Sequence, residues 1–275
     1  MKQVTLLFVA MSVVGCRAAE NETADDHRVA IVDSIFNGQR GSWVDLTHAF
    51  SANSIFWPTD TAGFKLDTLS YGKTTGGWFY SSFRYSAAEH GGTHLDAPIH
   101  FAEGRTTSDA IPVDRLVGPA VVIDVSARAH KDYVVSVDDF TQWESEHGAI
   151  PNGAIVLIRT GWGQKYGDRT AYLGTSQTGA AAVAQLHFPG LGADAAQWLV
   201  ANRNVDAVGI DTPSIDHGQS ADFRSHVILY EKDIPGFENV ANLESLPAVG
   251  SYVMALPMKI KDGSGGPLRI VAYVP

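Results

Sequence analysis

The sequence predicts a single mixed α/β domain that is richer in strands than in helices. Three observations predict it. First, short runs dense in β-branched residues recur at 120–125, 154–160 and 205–210. Runs bounded by Gly or Pro and apolar throughout read as strands buried on both faces. Second, only two stretches carry clear helix signals. Third, no repeat, low-complexity block or convincing linker interrupts the chain after residue 30.

Taken in order, Ser42-Trp43-Val44-Asp45-Leu46-Thr47 reads as the first strand. Residues 78–88 alternate aromatic and small side chains, with Phe79, Ser81, Phe83 and Tyr85 on one face. Ser136, followed by Asp138 and Asp139, offers an N-cap and an acidic first turn for a helix to about His147. Gly148 and Pro151 stop that helix. The second helix is read at 193–202, with Ala196, Leu199 and Val200 on one face. Residues 251–256 and 268–274 supply further strands. The pattern does not give the order of strands in the sheet.

Composition bounds the function. Of 275 residues, 45% are apolar and 18% charged, which suits a folded domain rather than a disordered one. The net charge of −10 argues against nucleic acid and anionic membrane as partners. The N-terminus stands apart. Met1-Lys2-Gln3 is a short basic region, and residues 4–14 are an apolar run too short to span a bilayer. The run ends in Val13-Val14-Gly15-Cys16, which resembles a lipoprotein lipobox, and Cys16 is the sole cysteine. The alternative is an ordinary secretory signal cut near Ala18 or Ala19. The expected organisation is a signal segment over 1–15, a polar tether over 16–30, and one domain over 31–275. The mature protein is expected to be exported, periplasmic or held at a membrane only through lipid on Cys16. With one cysteine it forms no internal disulfide.

The chemistry concentrates in Glu89-His90-Gly91-Gly92-Thr93-His94-Leu95-Asp96-Ala97-Pro98-Ile99-His100-Phe101. The glycines and Pro98 disfavour a helix here and allow a tight turn after the aromatic strand. His94 and Asp96 are two apart, so on an extended chain they share a face. Two imidazoles and a carboxylate form an N2O set for a borderline divalent ion, with positions left open for water or substrate. His100 is either a fourth ligand or a proton shuttle. A lone histidine is usually a surface or core residue, but this density of ligand types around Gly and Pro points to metal.

The segment His90-Gly-Gly-Thr-His94-Leu-Asp96-Ala-Pro-Ile-His100 resembles the signature of the cyclase-like metal hydrolases, which include kynurenine formamidases and isatin hydrolases. Further segments resemble that family in order: Ile55-Phe56-Trp57-Pro58, Gly209-Ile210-Asp211-Thr212-Pro213-Ser214-Ile215-Asp216, Ser225-His226, Phe237-Glu238-Asn239 and Leu256-Pro257-Met258-Lys259. The resemblance runs from about residue 40 to the C-terminus. It implies a β-barrel-like core with flanking helices. It implies His90, His94 and Asp96 as ligands of a first metal, with His226 and Glu238 completing a second site bridged by Asp96. It implies His100 as proton donor and acceptor and Trp57 at the substrate. Isatin hydrolases lack the Glu and use one manganese, so His226 with Glu238 implies one or two ions, zinc first and Mn(2+) as the alternative. Read alone, Glu238 also fits a solvated carboxylate and His226 a substrate hydrogen bonder.

The resulting expectation is a metal-dependent hydrolase cleaving the C–N bond of a small aryl or cyclic amide, arylformamidase-like. Aromatic residues at Trp57 and along 78–85 suit a flat aryl substrate. Isatin-type ring opening is the second enzyme reading. A lipid-tethered, metal-dependent binding protein without turnover is the non-enzyme reading. Family members are commonly homo-oligomers, and the aromatic strand is a candidate interface. Arg159-Thr160-Gly161-Trp162 is a candidate border of the pocket, and Asp211 a turn stabiliser. His27, His48, His130, His147, His187 and His217 receive no ligand role.

Overall fold

The structure, a computed structural model, describes residues 41–275 and, ahead of them, Ser34, Asn37 and Arg40. The expected signal segment, Cys16 and the tether lie outside the described residues. The strands are β1 (Ser42–Asp45), β2 (Lys65–Lys73), β3 (Phe79–Ser86), β4 (His94–Asp96), β5 (Val117–Asp124), β6 (Val134–Val135), β7 (Ala154–Arg159), β8 (Gly190–Leu191), β9 (Val205–Ile210), β10 (Gly236–Glu238), β11 (Val249–Pro257) and β12 (Gly265–Val274). The helices are α1 (Val137–His147), α2 (Arg169–Leu173), α3 (Ala180–Val183), α4 (Ala193–Asn202) and α5 (Arg224–Tyr230). Every strand and both helices read from the sequence are present.

The β-branched runs become central strands because both of their faces are buried. On β5, Ala120 and Val122 point into one core while Val121 and Ile123 point into another. On β7, Ile155 and Leu157 alternate in the same way with Val156 and Ile158. β5, β7 and β9 are mutually parallel, as double-sided burial leads one to expect. The main sheet runs β1-β12-β11-β5-β7-β9-β10-β4, and β4 pairs back onto β12. The strands from β12 to β4 therefore close into a barrel. β1 continues the edge of β12 that β4 occupies further back, pairing with Val271 to Val274 where β4 pairs with Gly265 to Pro267.

The inner core fills the barrel with Leu95, Phe237, Val253, Leu268 and Ile270, among others. The outer core lies between the barrel wall and the helices. It takes Phe140 and Trp143 from α1, Leu199 from α4, and Leu229 and Tyr230 from α5. The start of α1 follows its expected cap: the Ser136 backbone N–H donates to Asp139 at 2.8 Å.

The hairpin of β2 and β3 stands outside the barrel as a two-stranded sheet of its own. Here the structure corrects a reading. Trp78, Phe79, Tyr80, Phe83 and Tyr85 are exposed on this hairpin and do not line the cavity described below. Alternation along 78–88 was a sound strand signal, but it carries no information about what the strand packs against.

Candidate metal centre

β4 is three residues long and holds its shape through what flanks it. Gly92 sits at φ +59°, the left-handed region open to glycine. Its N–H donates to Ile55 O at 2.8 Å. Its carbonyl accepts from Asn239 Nδ2 at 2.7 Å, while Thr93 Oγ1 donates to Asn239 O at 2.7 Å. The turn is thus tied to the residue that follows β10. Antiparallel pairing then sets Glu238 directly opposite His94. Directly opposed residues share a sheet face, so this register brings Glu238 to His94 across 144 positions of chain.

Asp96 shares the His94 face and is opposed on both sides by glycine, Gly236 on β10 and Gly265 on β12. A Cβ at Gly236 would lie 2.6 Å from Tyr230 Oη, and one at Gly265 would lie 2.7 Å from His90 Cε1. The two glycines therefore make room for the groups that reach Asp96. Tyr230 Oη donates to Asp96 Oδ2 at 2.9 Å, and His90 Nδ1 lies 2.7 Å from Asp96 Oδ1. His226 and Tyr230 are four apart on α5 and so face the centre together.

The ring nitrogens are assigned by what surrounds them. His94 Nδ1 lies 3.0 Å from Gly92 O, which only accepts, so Nδ1 carries the proton. His94 Nε2 is buried and has no hydrogen-bond partner. It faces Asp96 Oδ1 at 3.1 Å and Glu238 Oε2 at 3.4 Å. His226 Nδ1 lies 2.6 Å from Asp216 Oδ2. Burial opposes ionisation of Asp216, but bonds from His226 and from the Ser225 and His226 backbone hold its pKa below the usual carboxylate range. Asp216 therefore accepts, and His226 Nε2 turns to Glu238 Oε1 at 3.0 Å and Asp96 Oδ2 at 3.4 Å.

This is a buried cluster that requires positive charge. Burial disfavours a charged His94, yet the close approach of Asp96 and the charges of Asp96 and Glu238 outweigh it and push its pKa up to about 9. His226 is raised well above its ordinary value against the same burial cost, by Asp216, Asp96 and Glu238. Burial would raise Asp96, but His90 and the bonds from His226, His90 and His94 hold it well below the carboxylate range. A divalent cation meets the same demand by displacing protons. The donors suit it: imidazole nitrogen and carboxylate oxygen are ligands of zinc and manganese. Two overlapping sets lie close enough to hold one, His90 with Asp96 and His100, and His94 with Asp96 and Glu238. His226 Nε2 adds to the second.

A cavity of about 240 Å³ opens onto this cluster. Phe56, Trp57, Phe101 and Phe223 form its apolar wall, and Ser214 and Asn239 add polar atoms. His100 stacks on His90 with centroids 3.7 Å apart. Burial, reinforced by the neighbouring histidines and only partly offset by Asp96, pushes its pKa down to about 4.

The putative cyclase family matches residues 44–217.

The chain belongs to the putative cyclase family.

Within this cyclase family, an isatin hydrolase of Roseibium aggregatum is 36% identical over 197 residues, covering 68% of this chain and 72% of that protein. A kynurenine formamidase of Bacillus cereus is 29% identical over 231 residues, covering 83% and 96%. Among solved structures, isatin hydrolase A from Labrenzia aggregata bound to benzyl benzoate superposes with a TM-score of 0.80 at 33% identity, covering 90% of this chain and 99% of that one. The barrel with flanking helices expected from the cyclase resemblance is the fold observed.

The structure brings His90, His94, Asp96, His100, His226, Glu238 and Trp57 to one cavity. Glu238 is buried rather than solvated. The expected pocket border Arg159-Thr160-Gly161-Trp162 falls away from the site, while Asp211 has the structural role expected of it. Arg159 pairs with Asp124, and Trp162 is buried with its indole N–H donating to Tyr172 O. Asp211 accepts from Thr160 and Gly161 and so acts in a turn. Asp216, Tyr230, Phe223 and Asn239 were missed as site residues. Asp216 closes a segment that resembles the family and Tyr230 lies four residues after His226, and neither position states what it touches.

Proposed function

We propose that this protein is a metal-dependent hydrolase cleaving the C–N bond of a small aryl or cyclic amide. The observation that carries it is His94 Nε2, buried without a hydrogen-bond partner and aimed at two carboxylates. His90, His94 and Asp96 would hold one ion, and His226 and Glu238 would offer ligands for a second. When bound, the metal lowers the pKa of water and polarises the substrate carbonyl. His100 is a free base at neutral pH. It takes a proton from the attacking water and delivers one to the leaving nitrogen. Trp57, Phe56 and Phe223 bind the flat ring and exclude bulk water.

Two substrate readings are each favoured by an observation. Higher identity to an isatin hydrolase favours ring opening of a cyclic amide. Glu238 standing with His226 favours the two-ion, arylformamidase-like arrangement implied by the resemblance. Metal content of the purified protein, followed by hydrolysis of isatin and of N-formylkynurenine, tests both. Bound metal with no turnover on either, or on a broad amide and ester panel, would leave only a binding role.

Lipidation of Cys16 and export remain part of the proposal, supported by the lipobox-like segment alone. Replacing Cys16 by Ser should release the protein from the membrane fraction. A homo-oligomer joined through the β2–β3 hairpin is also proposed. The hairpin exposes Leu66, Leu69, Tyr71, Trp78, Phe79 and Tyr80, apolar surface of the kind that marks an interaction site.

A further inference from the structure

Glu89 precedes the first histidine and has no part in the mechanism above. Its Oε2 accepts from Ser264 twice, from the backbone N–H at 3.0 Å and from the hydroxyl at 2.6 Å. Ser264 Oγ also lies 2.8 Å from His90 Nε2. A carboxylate only accepts, so the single hydroxyl proton of Ser264 goes to Glu89. Towards His90 the same oxygen then has only lone pairs to offer. His90 must therefore carry a proton on Nε2, so Nδ1, 2.7 Å from Asp96 Oδ1, is the nitrogen left for a metal that replaces the proton between the two.

We propose that Glu89, acting through Ser264, is a positioning pair that commits His90 to present Nδ1 to the metal. His94 and His226 present Nε2, so His90 is the odd member of the set. The inference rests on the metal-centre reading above. The backbone around Ser264 is shaped for this contact. It is flanked by Gly263 and Gly265, where a Cβ would lie 2.7 Å from Glu89 Oε1 and 2.7 Å from His90 Cε1 respectively. Its carbonyl accepts from Ala97 N at 2.9 Å, and Gly263 O accepts from Ser108 N at 2.9 Å, which pins the segment against β4. Partners that orient a metal-binding histidine fix its tautomer and raise its basicity.

The test uses the full chain, with zinc as the probe. Zinc affinity is measured by competition with a chromogenic chelator, and histidine tautomers by long-range nitrogen–proton correlation spectra of the zinc-loaded protein. Ser264→Ala and Glu89→Ala should each weaken zinc binding by roughly 10- to 100-fold while the metal-free melting temperature stays at the wild-type value. Ser264→Thr, which keeps the hydroxyl, should restore most of the affinity. In the wild type, His90 should carry its proton on Nε2 with Nδ1 bound to zinc. Wild-type affinity in both alanine variants, or zinc on Nε2 of His90, would overturn the proposal while leaving the metal centre standing. A wild-type chain that binds no zinc or manganese would overturn both.

Discussion

At the scale of single residues, the centre separates side chains that hold charge from one that moves it. His100 stacks against His90, whereas His90 Nδ1 lies 2.7 Å from Asp96 Oδ1. Replacing His100 by Ala should lower turnover by about 100-fold or more while metal content is unchanged. Loss of metal in that variant would instead make His100 a ligand. Glu238→Gln should reduce the metal-to-protein ratio from two to one, read by elemental analysis, and an unchanged ratio would remove the second position. His48 lies outside this chemistry but links stability to pH. Its ring stacks on Tyr166 at 3.6 Å, and its Nε2 is buried without a partner. Burial pushes its pKa down to about 4, with Glu244 only partly opposing. The folded state therefore holds His48 neutral, whereas the unfolded chain protonates it near 6.5. The contribution of His48 to stability is full above about pH 6.5 and is lost as the pH falls towards 4. His48→Phe should flatten part of that decline in melting temperature. An identical profile in the variant would show that other groups carry it.

At the scale of elements, the site depends on β4 being clamped between β10 and β12. The glycines opposite Asp96 are where the clamp is tightest. Gly236→Ala would place a methyl 2.4 Å from Ile215 Cδ1 and 2.6 Å from Tyr230 Oη. Such overpacking should cost about 1–3 kcal/mol in urea denaturation. A cost near zero would mean that α5 shifts freely, against the packing described. The elements missed in the sequence share a cause. β2 carries a bulge between Thr68 and Ser70 and buries neither face, so it shows no clean period of two. β4 and β10 have three residues each, too few for any period. α5 has seven residues and a cap, Phe223, in the left-handed region at φ 48°, so the usual polar N-cap signal is missing.

At the scale of the whole molecule, the barrel leaves one structure unaccounted for, the aromatic hairpin. If it joins subunits, Tyr71→Asp with Phe79→Asp should lower the mass measured by light scattering. An unchanged mass would sink that interface. The long β-branched runs, the capped helix α1 and the His90–His100 cluster were legible in the sequence. Each is written locally, in the spacing of neighbouring residues. His226, Glu238 and Trp57 were reached only through family resemblance, because nothing local marks them as partners of a motif that, for His226 and Glu238, lies over 100 residues away. Asp216 and Asn239 lay inside segments resembling the family but received no role, and Tyr230 was not reached at all. The sequence by itself determined a strand-rich α/β domain and one half of a metal centre. Only the tertiary structure decided that Glu238 lies opposite His94, that glycines open both sides of Asp96, and that the aromatic strand faces away from the cavity. The reason is physical: register and barrel closure depend on contacts between distant segments, and residue spacing along a chain does not encode which segments meet.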